Sequence, residues 1–107
     1  MPVIQMSTVR VKPGRMEEFL AHQDAIKPIN ARYGLTGRRL LRATMAGTNT
    51  GDVLIVSEFA DLAAWTRWNE ERNKDPEYRE WRKTTPNSNP ESGAELVSSM
   101  LLTDITR

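Results

Sequence analysis

The sequence predicts an α+β fold in which a four-stranded antiparallel sheet carries helices on one face, in the order β-α-β-β-α-β. Three observations predict it. Four segments rich in β-branched and aliphatic residues are spaced along the chain, with helical apolar spacing between the first and second and again between the third and fourth. The middle two are joined by a loop of hairpin length, so they pair antiparallel. Right-handed crossovers then bring the outer segments into the same sheet and leave both helical segments on one side.

Residues 3–11, VIQMSTVRV, are the first strand, with Val3, Val9 and Val11 on one face and Ile4 and Met6 on the other. Lys12-Pro13-Gly14 ends it in a turn. A helix is expected from about Arg15 to Tyr33, where Met16, Phe19, Leu20, Gln23 and Ile26 form one stripe. Glu17 and Glu18 sit in its first turn, where the helix dipole favours acids. Pro28 should kink or split it near Lys27, and Gly34 is a C′ residue in kind. Residues 38–46, RRLLRATMA, read as a second strand, and Gly47 to Asp52 as a turn-rich loop.

VLIVSEF, residues 53–59, is the clearest strand of the chain. Asp61 is a good N-cap for a second helix carrying Leu62, Trp65 and Trp68. Asp75-Pro76 looks like a fresh cap with proline at the first helical position, opening a short helix with Tyr78 and Trp81. Residues 84–93, TTPNSNPESG, are expected to be a loop long enough for an ordered lid or a flexible excursion. ELVSSMLLTDI, residues 95–105, closes the chain as a fourth strand. Helices cover one side of such a sheet, yet its strands carry apolar residues on both. The uncovered side calls for a second copy packed face to face, a homodimer.

A chain of 107 residues has room for one domain, spanning 1–107, and buries about two-thirds of its unfolded surface. An apolar content of 38% with 27% charged residues argues against disorder. The absence of cysteine removes disulfides, thiol nucleophiles and zinc–cysteine sites together. With one histidine, a transition-metal site would rest almost wholly on carboxylates, so neither metal nor cofactor is expected. A net charge of +1, mixed along the chain, argues against nucleic acid or a membrane as the main partner. MPVIQMSTV lacks the pattern of a signal peptide and no apolar run has membrane-spanning length, so a soluble cytoplasmic protein is expected.

The opening strand followed by VKPGRMEEFL, the GDVLIVSEFADLAAW stretch and the DPEYREW segment together resemble the dimeric α/β-barrel superfamily, whose subunits are ferredoxin-like. The nearest members are NIPSNAP-like proteins and antibiotic-biosynthesis-monooxygenase-like domains, and the likeness runs over roughly residues 3–105. It implies a homodimer with a cavity between each sheet and its helices. Members include cofactor-independent monooxygenases of aromatic polyketides, haem-degrading enzymes, isomerases and stress-response proteins, and the fold does not choose among them. Haem-degrading members use an Asn on the first strand and a Trp and a His on the second helical segment. This chain has no Asn in residues 3–11, and its one His is in the first helix, so that reading is weakened. From the monooxygenases no residue carries over.

His22 is the one side chain whose ordinary pKa lies near neutrality, which makes it the general acid/base candidate. It stands at the border of the first helix's apolar stripe; the competing reading is a solvent-edge or interface histidine without chemistry. Trp65, Trp68, Tyr78 and Trp81 concentrate the large aromatics in one stretch and would wall a pocket for a flat ligand. A chain with few other large residues also needs them simply for packing. Arg38, Arg39 and Arg42 could hold an acidic ligand, but a solvated or interface face with Glu partners is the stronger expectation. RNA binding would need exposed aromatics on the central strands, and residues 53–57 offer none. Glu58 and Asp104 are acids on predicted strands, expected to face solvent or pair; Ser7, Thr8 and Ser57 are expected to do no more than line a cavity.

Two functional readings follow, with a third behind them. The first is a binding or accessory protein that holds a small apolar or aromatic molecule. The second is an enzyme without metal or organic cofactor acting on an activated aromatic or carbonyl substrate, with His22 as proton acceptor and Trp65, Trp68 and Trp81 shaping the pocket. The third, a purely structural dimer, requires a solid interior.

Overall fold

The computed structural model describes residues 1–35, 37–45, 47–84 and 93–106. The strands are β1 (Val3–Val11), β2 (Arg38–Arg42), β3 (Val53–Phe59) and β4 (Ala94–Thr103). The helices are α1 (Met16–Ala25), α2 (Lys27–Arg32), α3 (Leu62–Asn73) and α4 (Pro76–Arg82), with a 3₁₀ turn at Gly47–Asn49. All strands pair antiparallel in the order β2-β3-β1-β4, so the expected α+β, ferredoxin-like sheet is the one found. The two expected helical segments are each broken in two, by Pro28 and by Asp75-Pro76. No helix among the described residues is long and apolar enough to cross a membrane.

Local chemistry accounts for the boundaries. Asp61 caps α3 by accepting from the Ala64 N–H at 2.8 Å. Asp75 caps α4 by accepting from the N–H groups of Glu77 at 2.8 Å and Tyr78 at 3.4 Å, with Pro76 at the first helical position. Gly34 follows the α2 cap residue Tyr33 with φ of 90°, the left-handed geometry that ends a helix. The second strand is shorter than expected: regular pairing stops at Arg42, although Ala43 still exchanges backbone hydrogen bonds with Asp52 and Gly51. Asp104 lies beyond β4, its carboxylate accepting from the Thr106 N–H, so it is not a strand acid. Of the loop expected over 84–93, residues 85–92 lie outside the described residues.

The β1–β4 register slips by one between Thr8 and Val9, where Val97 is an extra residue on β4. Leu96 therefore faces the helices opposite Val9, while Ser98, Met100 and Leu102 face away opposite Thr8, Met6 and Ile4. The helix-side interior divides into three clusters: Val9, Phe19, Val53 and Ala94; Ile26, Ile29 and Tyr78; Leu35, Phe59 and Trp68. The far side of the sheet is uncovered in the single chain. Leu41, Met100 and Leu102 on that side are 43%, 46% and 39% exposed.

Candidate functional site

A domain of this size ordinarily has one contiguous core. Here the three clusters surround a cavity of about 260 Å³ between sheet and helices, and each contributes to its wall. The floor explains why the core does not close. At mid-sheet the helix-facing positions include, beside Ile55, the polar residues Gln5 and Ser7 on β1, Ser57 on β3 and Ser99 on β4. These residues are too short or too polar to fill the space beneath the helices. Ser7 and Ser99 hydrogen-bond through their hydroxyls at 2.9 Å, and the Gln5 side-chain oxygen accepts from the Trp65 indole N–H at 2.9 Å. A solid interior, as the structural-dimer reading requires, is not what the chain builds.

The helices supply the walls. Trp68 from α3 and Tyr78 and Trp81 from α4 line the cavity; Trp65 does not, because its indole is turned to Gln5 at the sheet. Trp68 and Tyr78 also belong to the core clusters, so packing and pocket are two uses of the same rings. His22 is likewise outside the lining. Its ring stacks on Trp81 with centroids 4.4 Å apart and planes 9° off parallel. Its Nε2 is 2.5 Å from the Thr84 hydroxyl and 3.3 Å from the Trp81 carbonyl, and the Trp81 indole N–H donates back to the His22 carbonyl at 2.8 Å. These contacts tie α1 to α4. Burial lowers the His22 pKa, the bond to the Trp81 carbonyl opposes the shift in part, and the charge of Arg38 adds to it, so the ring is neutral at pH 7.

Arginine is the residue type that the sequence did not assign here. Arg38, Arg72 and Arg82 all line the cavity. Arg38 was expected on a solvated or interface face with a Glu partner; instead it is partly buried and donates to the Gln23 side-chain oxygen. The physical reason is parity. Arg38 shares its face of β2 with Leu40, which packs on the core, and that pairing was the available signal. Arg72 lies over two rings, its guanidinium carbon 3.8 Å from the Trp68 centroid and 4.2 Å from that of Tyr78. Burial pushes both guanidiniums down to about 10, and for Arg38 the positive charge of Arg72 adds to the effect. Both remain charged at neutral pH. The other candidates stand apart: Arg39 and Glu58 are exposed on the uncovered face, Arg42 shares the face of Arg38 but is exposed at the strand end, and Thr8 faces away from the cavity.

The fold has many relatives among solved structures. An uncharacterized NIPSNAP domain protein from Burkholderia xenovorans superposes with a TM-score of 0.69 at 22% identity, over 95% of this chain and 93% of the other. SnoaB, a cofactor-independent oxygenase from Streptomyces nogalater, gives 0.65 at 17% identity, over 99% and 95%. Rv0793 from Mycobacterium tuberculosis gives 0.65 at 16% identity, over 100% and 98%. At these identities the likeness is one of fold. No curated protein matches the chain in sequence. The sequence profile of the antibiotic biosynthesis monooxygenase family matches residues 2–84, more than three-quarters of the chain. With its ferredoxin-like sheet and its NIPSNAP-like structural relatives, this chain belongs to the antibiotic biosynthesis monooxygenase family.

Proposed function

We propose that this protein is a homodimer whose subunits pack sheet against sheet, and that each subunit binds a small apolar or aromatic molecule between its sheet and helices. The observation that carries the binding reading is the cavity itself, walled by Trp68, Tyr78 and Trp81 in a chain short of other large residues to spend. An aromatic wall favours an apolar or aromatic guest, and the polar floor offers groups to orient it. The dimer is supported by the uncovered apolar face and by the chain's family. Native mass spectrometry of the untagged protein tests both parts. A mass near twice 12.2 kDa with a persistent small adduct is expected. A monomer at micromolar concentration would remove the dimer, and a dimer that retains no added flat aromatic compound would remove the binding reading.

A second reading has its support in SnoaB, which is described as a cofactor-independent oxygenase. In that reading the cavity holds an activated aromatic or carbonyl substrate, which once deprotonated supplies its own electrons to oxygen. His22 is the proposed proton acceptor, being neutral and therefore able to take a proton. Its contact with the cavity runs through Trp81, which weighs on the side of simple binding. Oxygen uptake with activated aromatic substrates separates the readings. Uptake that persists in His22→Ala would take His22 out of the mechanism.

A further inference from the structure

The cavity wall is cationic. It contains Arg38, Arg72 and Arg82 and, among the described residues, no Asp or Glu. Partly burying a guanidinium without an acid is costly, and placing two in the wall of one cavity adds their repulsion. The two buried carboxylates among the described residues are committed elsewhere. Asp52 pairs with Arg10 through two hydrogen bonds of 3.1 and 3.2 Å, and Asp75 is held by Arg32 and Tyr33. Neutral partners compensate Arg38 and Arg72 in part: Gln23 accepts from Arg38, Asn69 accepts from Arg72 at 3.3 Å, and the Trp68 and Tyr78 rings offer their negative faces to Arg72. None of these supplies a charge. The Nε–H of Arg72 and the indole N–H of Trp68 are buried with no acceptor among the described residues.

Resting on the reading of this cavity as a ligand site, we propose that its ligand is an aromatic carboxylate: a flat ring seated among Trp68, Tyr78 and Trp81, with its carboxylate bound jointly by Arg38 and Arg72. A planar carboxylate matches the donor fork of a guanidinium, and one negative charge between two cations relieves both their burial and their repulsion. The sheet floor, with its serine hydroxyls and Gln5 amide, is neutral and does not oppose the anion. The selectivity is therefore electrostatic where the shape is merely apolar.

The test is calorimetric titration of the full-length protein with 2-naphthoate and with 2-naphthamide, which share a ring and differ in charge. The acid is expected to bind at least about tenfold more tightly, about 1.4 kcal/mol. In Arg38→Gln and in Arg72→Gln that preference should fall to within about twofold while amide binding is kept; Arg67→Gln, on the exposed side of α3, should leave it intact. Thermal melts establish that each variant is folded, and Arg38→Gln decides the matter if loss of the Arg72 stacking unfolds the other. Equal binding of acid and amide to the parent protein would overturn the anion assignment and leave the cavity reading standing. Binding of neither would overturn both.

Discussion

Asp75 ties the end of α2 to the start of α4. One oxygen caps α4 through the Glu77 and Tyr78 N–H groups, and the other receives the Tyr33 hydroxyl at 2.6 Å and the Arg32 guanidinium. The Asp61 side chain caps α3 with one bond, from the Ala64 N–H. Asp61→Ala is expected to cost about 1 kcal/mol, the ordinary worth of a cap, and Asp75→Ala clearly more, both read from urea melts. The Tyr33 hydroxyl, the Glu77 and Tyr78 N–H groups and Arg32 hold the Asp75 carboxyl below the usual range. A group whose folded pKa is lowered stabilises the fold above its unfolded pKa, about 3.9, and loses that contribution as pH falls through the folded value. The stability gap between the parent and Asp75→Asn should thus be constant above about pH 5 and shrink in acid below it. His22 follows the same sign in a different window. Its lowered pKa means the unfolded chain takes up a proton first, near pH 6.5, so the parent should lose stability between about pH 7.5 and 5.5 more steeply than His22→Gln. Equal slopes in the two proteins would show that the ring is not desolvated. Caps of this kind were legible from sequence because Asp-Pro and Asp before an apolar run act locally. For Arg38 the shared face with Leu40 marked the side, but whether that side is wet or roofed depends on helices distant in the chain.

At the level of elements, the helix split by Pro28 has a packing role. The break between Ala25 and Lys27 turns the chain so that Ile26 and Ile29, each 2% exposed, both meet Tyr78 of α4. Ile26→Ala should cost about 2–5 kcal/mol by leaving a hole at the joint, with Ile26→Val milder at about 0.5–1.5 kcal/mol; chemical denaturation measures both. The sequence located every strand and every helix start because each is marked by a proline, a glycine, an aspartate or a run of β-branched residues. It overran the end of β2, where Ala43 to Met45 keep apolar character after the regular ladder has stopped. The cavity was foreseen through family likeness and through the cluster of large aromatics, but its extent was not. Polar side chains at mid-strand, such as Ser7, Ser57 and Ser99, carry no periodic signal that separates a lined hollow from a wetted surface.

The whole molecule is a slab measuring 38 × 37 × 18 Å, two layers thick. One layer of helices and one of sheet leave the second sheet face without a cover, and apolar residues from β2 and β4 are the ones exposed there. Placing charges on that face should separate the subunits without touching the cavity on the other. Leu41→Lys combined with Leu102→Lys is expected to give a monomer by analytical ultracentrifugation, with binding of an aromatic ligand reduced far less than dimerisation. A variant that stays dimeric would mean that the subunits meet elsewhere. An apolar second sheet face was legible in the sequence, since it follows from apolar residues on both faces of the strands. The cationic character of the cavity was not, since it depends on arginines brought together from β2 and α3, far apart in the chain.

The extra residue at Val97 makes side-chain direction in β4 a matter of odd and even counting that changes partway along the strand. Before it, even-numbered residues face the helices; after it, odd-numbered ones do, and Ser99 joins the cavity floor while Met100 and Leu102 turn outward. One inserted residue therefore lets a single strand serve a polar interior hollow and an apolar outer face at once. A gapless comparison of this strand with an unbulged relative would assign Ser99 to the outside and Met100 to the inside, reversing the two surfaces on which the binding and assembly proposals depend.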